Sequence, residues 1–229
     1  MKRLAILTPL VALATTLIPS SVVFAQPAGD EVLLQMQQAS RKQDIRALTT
    51  LLPAIQGHPL EVWGHYWALK ARLSSATAQE VEDFLQRWRG TYQEDRLRND
   101  WLLLLGQRRN WAEFERLHTE FRMQDDKQLR CYDLAIASIE GRLPQHASTE
   151  LQQLWMGQPA NDDGCTYAAS TLYAAEQLPA LAVWQRARLG AERNQLSTAR
   201  NALAIVAPQH VAALAGLFKS PQAYLSNPK

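Results

Sequence analysis

The chain has 229 residues, 47% of them hydrophobic and 8% aromatic, with 24 basic residues against 22 acidic ones. The two excess cations, Lys2 and Arg3, fall in an N-terminal segment that holds no acidic residue. Without that segment the chain is formally neutral, so partnership with nucleic acid or another polyanion has no compositional basis.

Lys2 and Arg3 precede an apolar stretch from Leu4 to Leu17, and Val23-Phe24-Ala25 forms a small-residue cleavage site. This is the pattern of an export signal over residues 1–25. The apolar stretch is interrupted by Thr and Pro and falls short of the roughly 20 residues that span a bilayer. No cysteine near the cleavage site offers itself for lipidation, so the expectation is an exported chain without a membrane anchor. Residues 26–229 are expected to form one helical-repeat domain, a size that suits one domain or one run of repeats.

Gln26 to Asp30 reads as a loose lead, followed by two short helices, Glu31 to Ser40 and Asp44 to Leu52, broken by Pro53. Pro59 suits the first turn of a helix continuing to about Leu73. That helix carries Leu60, Trp63 and Trp67 on one side and Val62, Tyr66, Leu69 and Leu73 on another. A helix apolar on two sides must lie between layers. Thr77 and Glu80 make a capping box for the next helix, whose Val81, Phe84, Leu85 and Trp88 share a face and which Gly90 closes.

Leu97, Trp101, Leu104 and Leu105 follow helical spacing up to Gly106, where a helix end is expected. Asn110 is placed to cap the next helix, with Glu113 as its capping-box partner and Trp111, Phe114, Leu117 and Phe121 as its apolar stripe. A helix from Asp126 to Glu140 follows, then one capped by Ser148 and stopping at Gly157. Gln158 to Gly164 is a polar turn. Cys165 shares a helical face with Ala168, Ala169 and Leu172, and Cys131 one with Leu134 and Ala135, so both cysteines point into packing. An even pair in an exported chain reads as a disulfide. After Pro179 comes a helix with Leu181 and Trp184 expected inward, then helices near Leu196 to Val206 and Gln209 to Phe218, and the start of another at Ser220-Pro221. No run of alternating β-branched residues marks a strand. The tryptophans at 63, 67, 88, 101, 111, 155 and 184 keep no fixed period. The fold class is therefore all-α, a curved superhelix (α-solenoid) of antiparallel helical hairpins without a sheet.

The order L-R-x-x-W-L-x-x-L-G-x-R-R-x-W-x-x-F from Leu97 to Phe114, with Cys131-Tyr132 beyond it and H-P-L-E-V-W-G-H-Y-W-A-L-K from His58 to Lys70 before it, resembles the superhelical N-terminal domain of soluble lytic transglycosylases. The resemblance implies a periplasmic protein acting on peptidoglycan glycan strands. The family's reaction is non-hydrolytic cleavage between N-acetylmuramic acid and N-acetylglucosamine, giving 1,6-anhydromuramoyl products. It implies also that this chain is the scaffold half, shortened at its C-terminal end relative to the family, and that a catalytic domain is a possible partner. The alternative is an independent periplasmic solenoid of the tetratricopeptide kind that binds protein partners.

The family's catalytic acid is a Glu followed directly by Ser and preceding Gly-Leu-Met-Gln; this sequence has neither. One carboxyl must serve there as acid and then base, so no catalytic residue is assigned. His58, His65, His118, His146 and His210 show no metal-ligand spacing, and no phosphate loop or cofactor motif occurs. The carboxylate groups Glu80-Glu82-Asp83, Glu94-Asp95, Asp125-Asp126 and Asp162-Asp163 mostly sit where helices start and read as dipole compensation. Arginine crowds the middle of the chain, and guanidinium groups hold carboxylates in bidentate pairs. Arg98, Arg108 and Arg109, which lie in the family-like segment, are the candidate substrate-binding residues.

Overall fold

Among the described residues there are thirteen α-helices, three short 3-10 turns and no strand. The structure is a computed structural model that describes residues 27–226; the expected export signal and its cleavage site lie outside them. The helices are α1 Pro27–Arg41, α2 Ile45–Leu51, α3 Glu61–Ala71, α4 Ala78–Arg87, α5 Tyr92–Gln107, α6 Trp111–His118 and α7 Lys127–Ile139. They continue as α8 Ala147–Met156, α9 Asp163–Ala174, α10 Ala180–Glu192, α11 Leu196–Val206, α12 Val211–Lys219 and α13 Pro221–Ser226. No described helix is long and apolar enough to cross a membrane.

Neighbours in sequence pack as hairpins, and the odd-numbered helices also form a row: α1 touches α3, α3 touches α5, α5 touches α7, α7 touches α9 and α9 touches α11. An array of this kind buries its apolar faces between successive elements instead of around one centre. The core accordingly divides. Met36, Leu48 and Ile55 form a small N-terminal cluster, Leu97, Trp101, Phe114 and Tyr132 belong to a central one, and Cys131, Trp155, Cys165 and Val183 to a third. Helix α7 serves the last two at once, with Leu129, Tyr132 and Ile136 on one side and Cys131, Leu134 and Ala135 on the other.

Several local signals act as read. Thr77 and Glu80 form a complete capping box at α4, and Gly90 takes a positive φ just past its end; Asp126, expected as the first residue of its helix, instead caps α7 through the Gln128 and Leu129 amides. Others act differently. Residues 27–30 belong to α1, not to a loose lead. The second helix does end before Pro53, at Leu51, and Pro53 itself sits in a 3-10 turn, Leu52–Ile55, at a position where its missing N–H has no helical partner to lose. The helix after Pro59 ends at Ala71, and Leu73 belongs to a separate 3-10 turn. Asn110 makes no side-chain cap; its amide donates to the Leu105 carbonyl at 3.0 Å, and Glu113 is engaged by Arg116 at 2.7 Å. His146, not Ser148, precedes α8. On α10, Ala182, Val183, Arg186 and Ala187 face inward, while Leu181 and Trp184 are exposed. The helix is rotated because small residues let α11 approach closely: a Cβ on Gly190 would stand 2.6 Å from the Ala199 amide nitrogen.

Gly106 does not end its helix. It lies inside α5, and a Cβ there would come within 2.3 Å of the Tyr132 ring. The left-handed turn falls instead on Arg109, with φ of 59°. Gly106→Ala should therefore destabilise the chain by about 1 to 3 kcal/mol through overpacking, read from urea unfolding.

Cys131 of α7 and Cys165 of α9 are joined in a disulfide with a Cα separation of 4.8 Å, both fully buried. The bridge spans 34 residues, and closing such a loop contributes on the order of 3 to 4 kcal/mol. Replacing both cysteines by alanine should lower the unfolding free energy by about that amount while leaving the far-UV circular dichroism unchanged.

Candidate functional site

The turn between α5 and α6 directs Arg109 back over α9. Its guanidinium donates to both oxygens of Asp163, at 2.6 and 3.1 Å, and to the Gly106 carbonyl at 2.5 Å, and it stacks over Tyr167 with the guanidinium carbon 3.9 Å from the ring centre. Tyr132 of α7 donates its hydroxyl to Asp163 at 2.6 Å. Gln128 receives the Asp163 and Gly164 amides, at 3.0 and 3.3 Å, while the neighbouring Asp162 caps α9 through the Cys165 amide at 2.6 Å. Three elements thus meet on one carboxylate, beside an open cleft of about 460 Å³ lined by Arg109, Asn161, Asp163, Thr166, Tyr167 and Asn201.

Burial works to raise the Asp163 carboxyl, but the hydrogen bonds from Arg109 and Tyr132 and the guanidinium charge outweigh it and hold the group below its usual range. Burial, with Asp163 as acceptor, pushes the Tyr132 hydroxyl well above its ordinary value. Asp162 is raised chiefly by burial. With its charge held and both oxygens occupied, Asp163 is an acceptor and not a proton donor.

The three candidate arginines go to different places. Arg98 is 4% exposed and enclosed by Glu94, which it contacts directly, with Glu120 at 3.3 Å and Asp95 at 3.8 Å; it faces no ligand surface. Arg109 braces the cleft just described. Arg108 remains exposed, donating to the Ser74 carbonyl at 2.6 Å and lying over Trp101. Arg186, which the sequence did not single out, is buried more deeply than any of the three: 1% exposed, it donates to the Gln158 and Ala160 carbonyls and pins the α8–α9 loop.

The carboxylate groups are occupied structurally. Glu94 and Asp95 are buried, Asp95 accepting the Arg122 and Met123 amides at 3.1 and 2.8 Å. Among the histidines, His58 pairs with Asp30 at 2.9 Å and His118 with Asp133 at 3.3 Å. No three potential metal ligands converge among the described residues.

A second arrangement appears on α3 and the start of α5. Trp63 lies 5.6 Å from Trp67 and 6.0 Å from Tyr92, ring centre to ring centre, forming a row of three aromatic rings. Tyr92 is 56% exposed and the two tryptophans are half-buried. Beside the row, Lys70 and Tyr66 both donate to Asp100, at 3.1 and 2.8 Å, and Arg96 stands near the same carboxylate. The i, i+4 spacing of Trp63 and Trp67 was legible in the sequence; that Tyr92 joins them needed the α3–α5 contact.

Compared with known proteins, the chain matches no family model, no curated protein and no solved structure.

The Asp163 geometry fixes a pH dependence. A carboxyl whose folded pKa lies below its unfolded value stabilises the fold above about pH 4, and that contribution is lost as pH falls through the folded value. Asp163→Asn should therefore lower stability at neutral pH and flatten its decline on acidification, followed by urea midpoints between pH 7 and pH 3.

Proposed function

We propose that this chain is a non-catalytic scaffold that holds peptidoglycan glycan strands, corresponding to the superhelical part of a soluble lytic transglycosylase and working in the periplasm. The observation that carries this reading is the row of rings Tyr92, Trp63 and Trp67, flanked by Lys70, Arg96 and Asp100. Aromatic faces pack against the C–H faces of pyranose rings and bury them at low entropic cost. Charged groups at the edge then hydrogen-bond hydroxyls and the carboxylates of lactyl and peptide substituents.

The engaged state of the carboxylates supports a guiding role without chemistry. Asp163, Glu94 and Asp95 are each tied to arginine or to backbone amides. A buried disulfide is in keeping with an oxidising compartment.

The test is sedimentation of the protein with purified peptidoglycan, together with analysis of soluble products. Binding without release of 1,6-anhydromuropeptides is expected. Replacing Trp63 and Tyr92 together by alanine should weaken binding by roughly thirtyfold, taking each stacked ring as worth about 1 kcal/mol. Unchanged binding by that variant, or release of anhydro products by the unaltered chain, would reject the proposal.

A further inference from the structure

The most apolar of the described helices buries none of its residues. Helix α12, V-A-A-L-A-G-L-F-K, has no buried residue, although Val211, Leu214, Leu217 and Phe218 all lie on it. Between α12 and α10 runs a groove of about 380 Å³, lined by Trp184, Leu203, His210, Leu214, Leu217 and Tyr224. Trp184 is 45% exposed there, and Leu181 and Leu225, on the helices that border the groove, are 67% and 70% exposed. Apolar surface left open along a channel marks a place where another apolar surface sits.

Beyond Glu192 the sequence around it carries only cations. From Arg193 to Ser226 the sequence has no Asp or Glu, and its cations are Arg193, Arg200 and Lys219. Arg188 lines the groove itself, pairing at 3.2 Å with Glu192 one turn on. Lys219 lines an adjoining hollow that shares Ala213 and Tyr224 with it. We propose that this groove docks an amphipathic helix of a partner protein, whose apolar residues fill the channel between α10 and α12 and whose flanks carry acidic side chains. A helix in an apolar groove is read through anchors at i, i+4 and i+7, and acidic flanks answer the cationic margin. A second copy of this chain fits less well, because a two-fold pairing would set the same cations against one another. A lipid surface fits less well also, since the apolar residues line a concavity and do not project from it.

The experiment uses the full chain without its export signal and two labelled synthetic peptides, followed by fluorescence anisotropy. Both are helical with leucines at i, i+4 and i+7; one carries glutamates on its flanks and the other lysines. The glutamate peptide should bind at least tenfold more tightly than the lysine peptide, and added salt should narrow the difference. Leu214→Glu with Leu217→Glu should abolish binding. Lys219→Glu, an exposed change that disturbs no packing, should weaken the glutamate peptide and strengthen the lysine peptide. Near-UV circular dichroism checks that each variant keeps its fold. The proposal is overturned if neither peptide binds or if both bind equally. It is equally overturned if sedimentation velocity shows a dimer that the leucine changes dissolve, or if the chain binds phosphatidylglycerol vesicles through the same leucines.

Discussion

Helix α7 is enclosed on two sides, and the remainder of the array is arranged by that enclosure. Tyr132 fills the space that Gly106 leaves open in α5 and reaches across to Asp163, while Cys131, one residue earlier, is covalently bound to α9. The two large apolar clusters meet along this helix. A shift of α7 along its axis would break the Tyr132 contact, the Asp163 hydrogen bond and the geometry of the disulfide together. Its position is over-determined, and with it the spacing of α5 and α9.

The polar interior shows the same economy of arrangement with a different chemistry. Glu94 and Asp95 are 2% and 1% exposed in the first turn of α5, where the helix N-terminus favours negative charge. Arg98 reaches them from one turn on, and Arg122 closes over them from the loop before α7. Desolvation of three such charges is costly, and the cost is met only while all partners are present. The cluster thus ties the segment from Phe121 to Asp126 to α5, which in turn sets the direction in which α7 begins. The Arg98 Nε and the Asn99 Oδ1 remain without partners, a residue of imperfect satisfaction inside an otherwise complete network.

Much of this was legible in the sequence, and the reasons are local. Thr77 with Glu80, and Gly90 after α4, announce themselves because caps and left-handed turns depend on a few adjacent residues. Helical spacing showed that each cysteine points inward, and their even number in a chain expected to be exported suggested the bond that the fold provides. What failed were inferences that required knowledge of a neighbour. Gly106 looks like a stop until Tyr132 is placed against it, and Trp184 looks like core until the small residues of α10 and α11 are seen to claim that side. Arg98 was indistinguishable from Arg108 in sequence, since only the fold decides that one lies beneath Glu120 and the other on the surface. The aromatic row of Trp63, Trp67 and Tyr92 was half legible for the same reason.

The disulfide has one more consequence, which concerns assembly more than stability. The chain holds only two cysteines, so its oxidation has a single intramolecular outcome and no scrambled isomer to correct. Both lie on helices that pack directly on each other with one helix between them in sequence, so the pairing depends on a neighbourhood formed by a short stretch of chain. Contacts of low sequence separation form early and quickly. The bond can therefore close once α9 has met α7, before α10 to α13 are in place, and thereafter it offers the C-terminal helices a fixed edge on which to add.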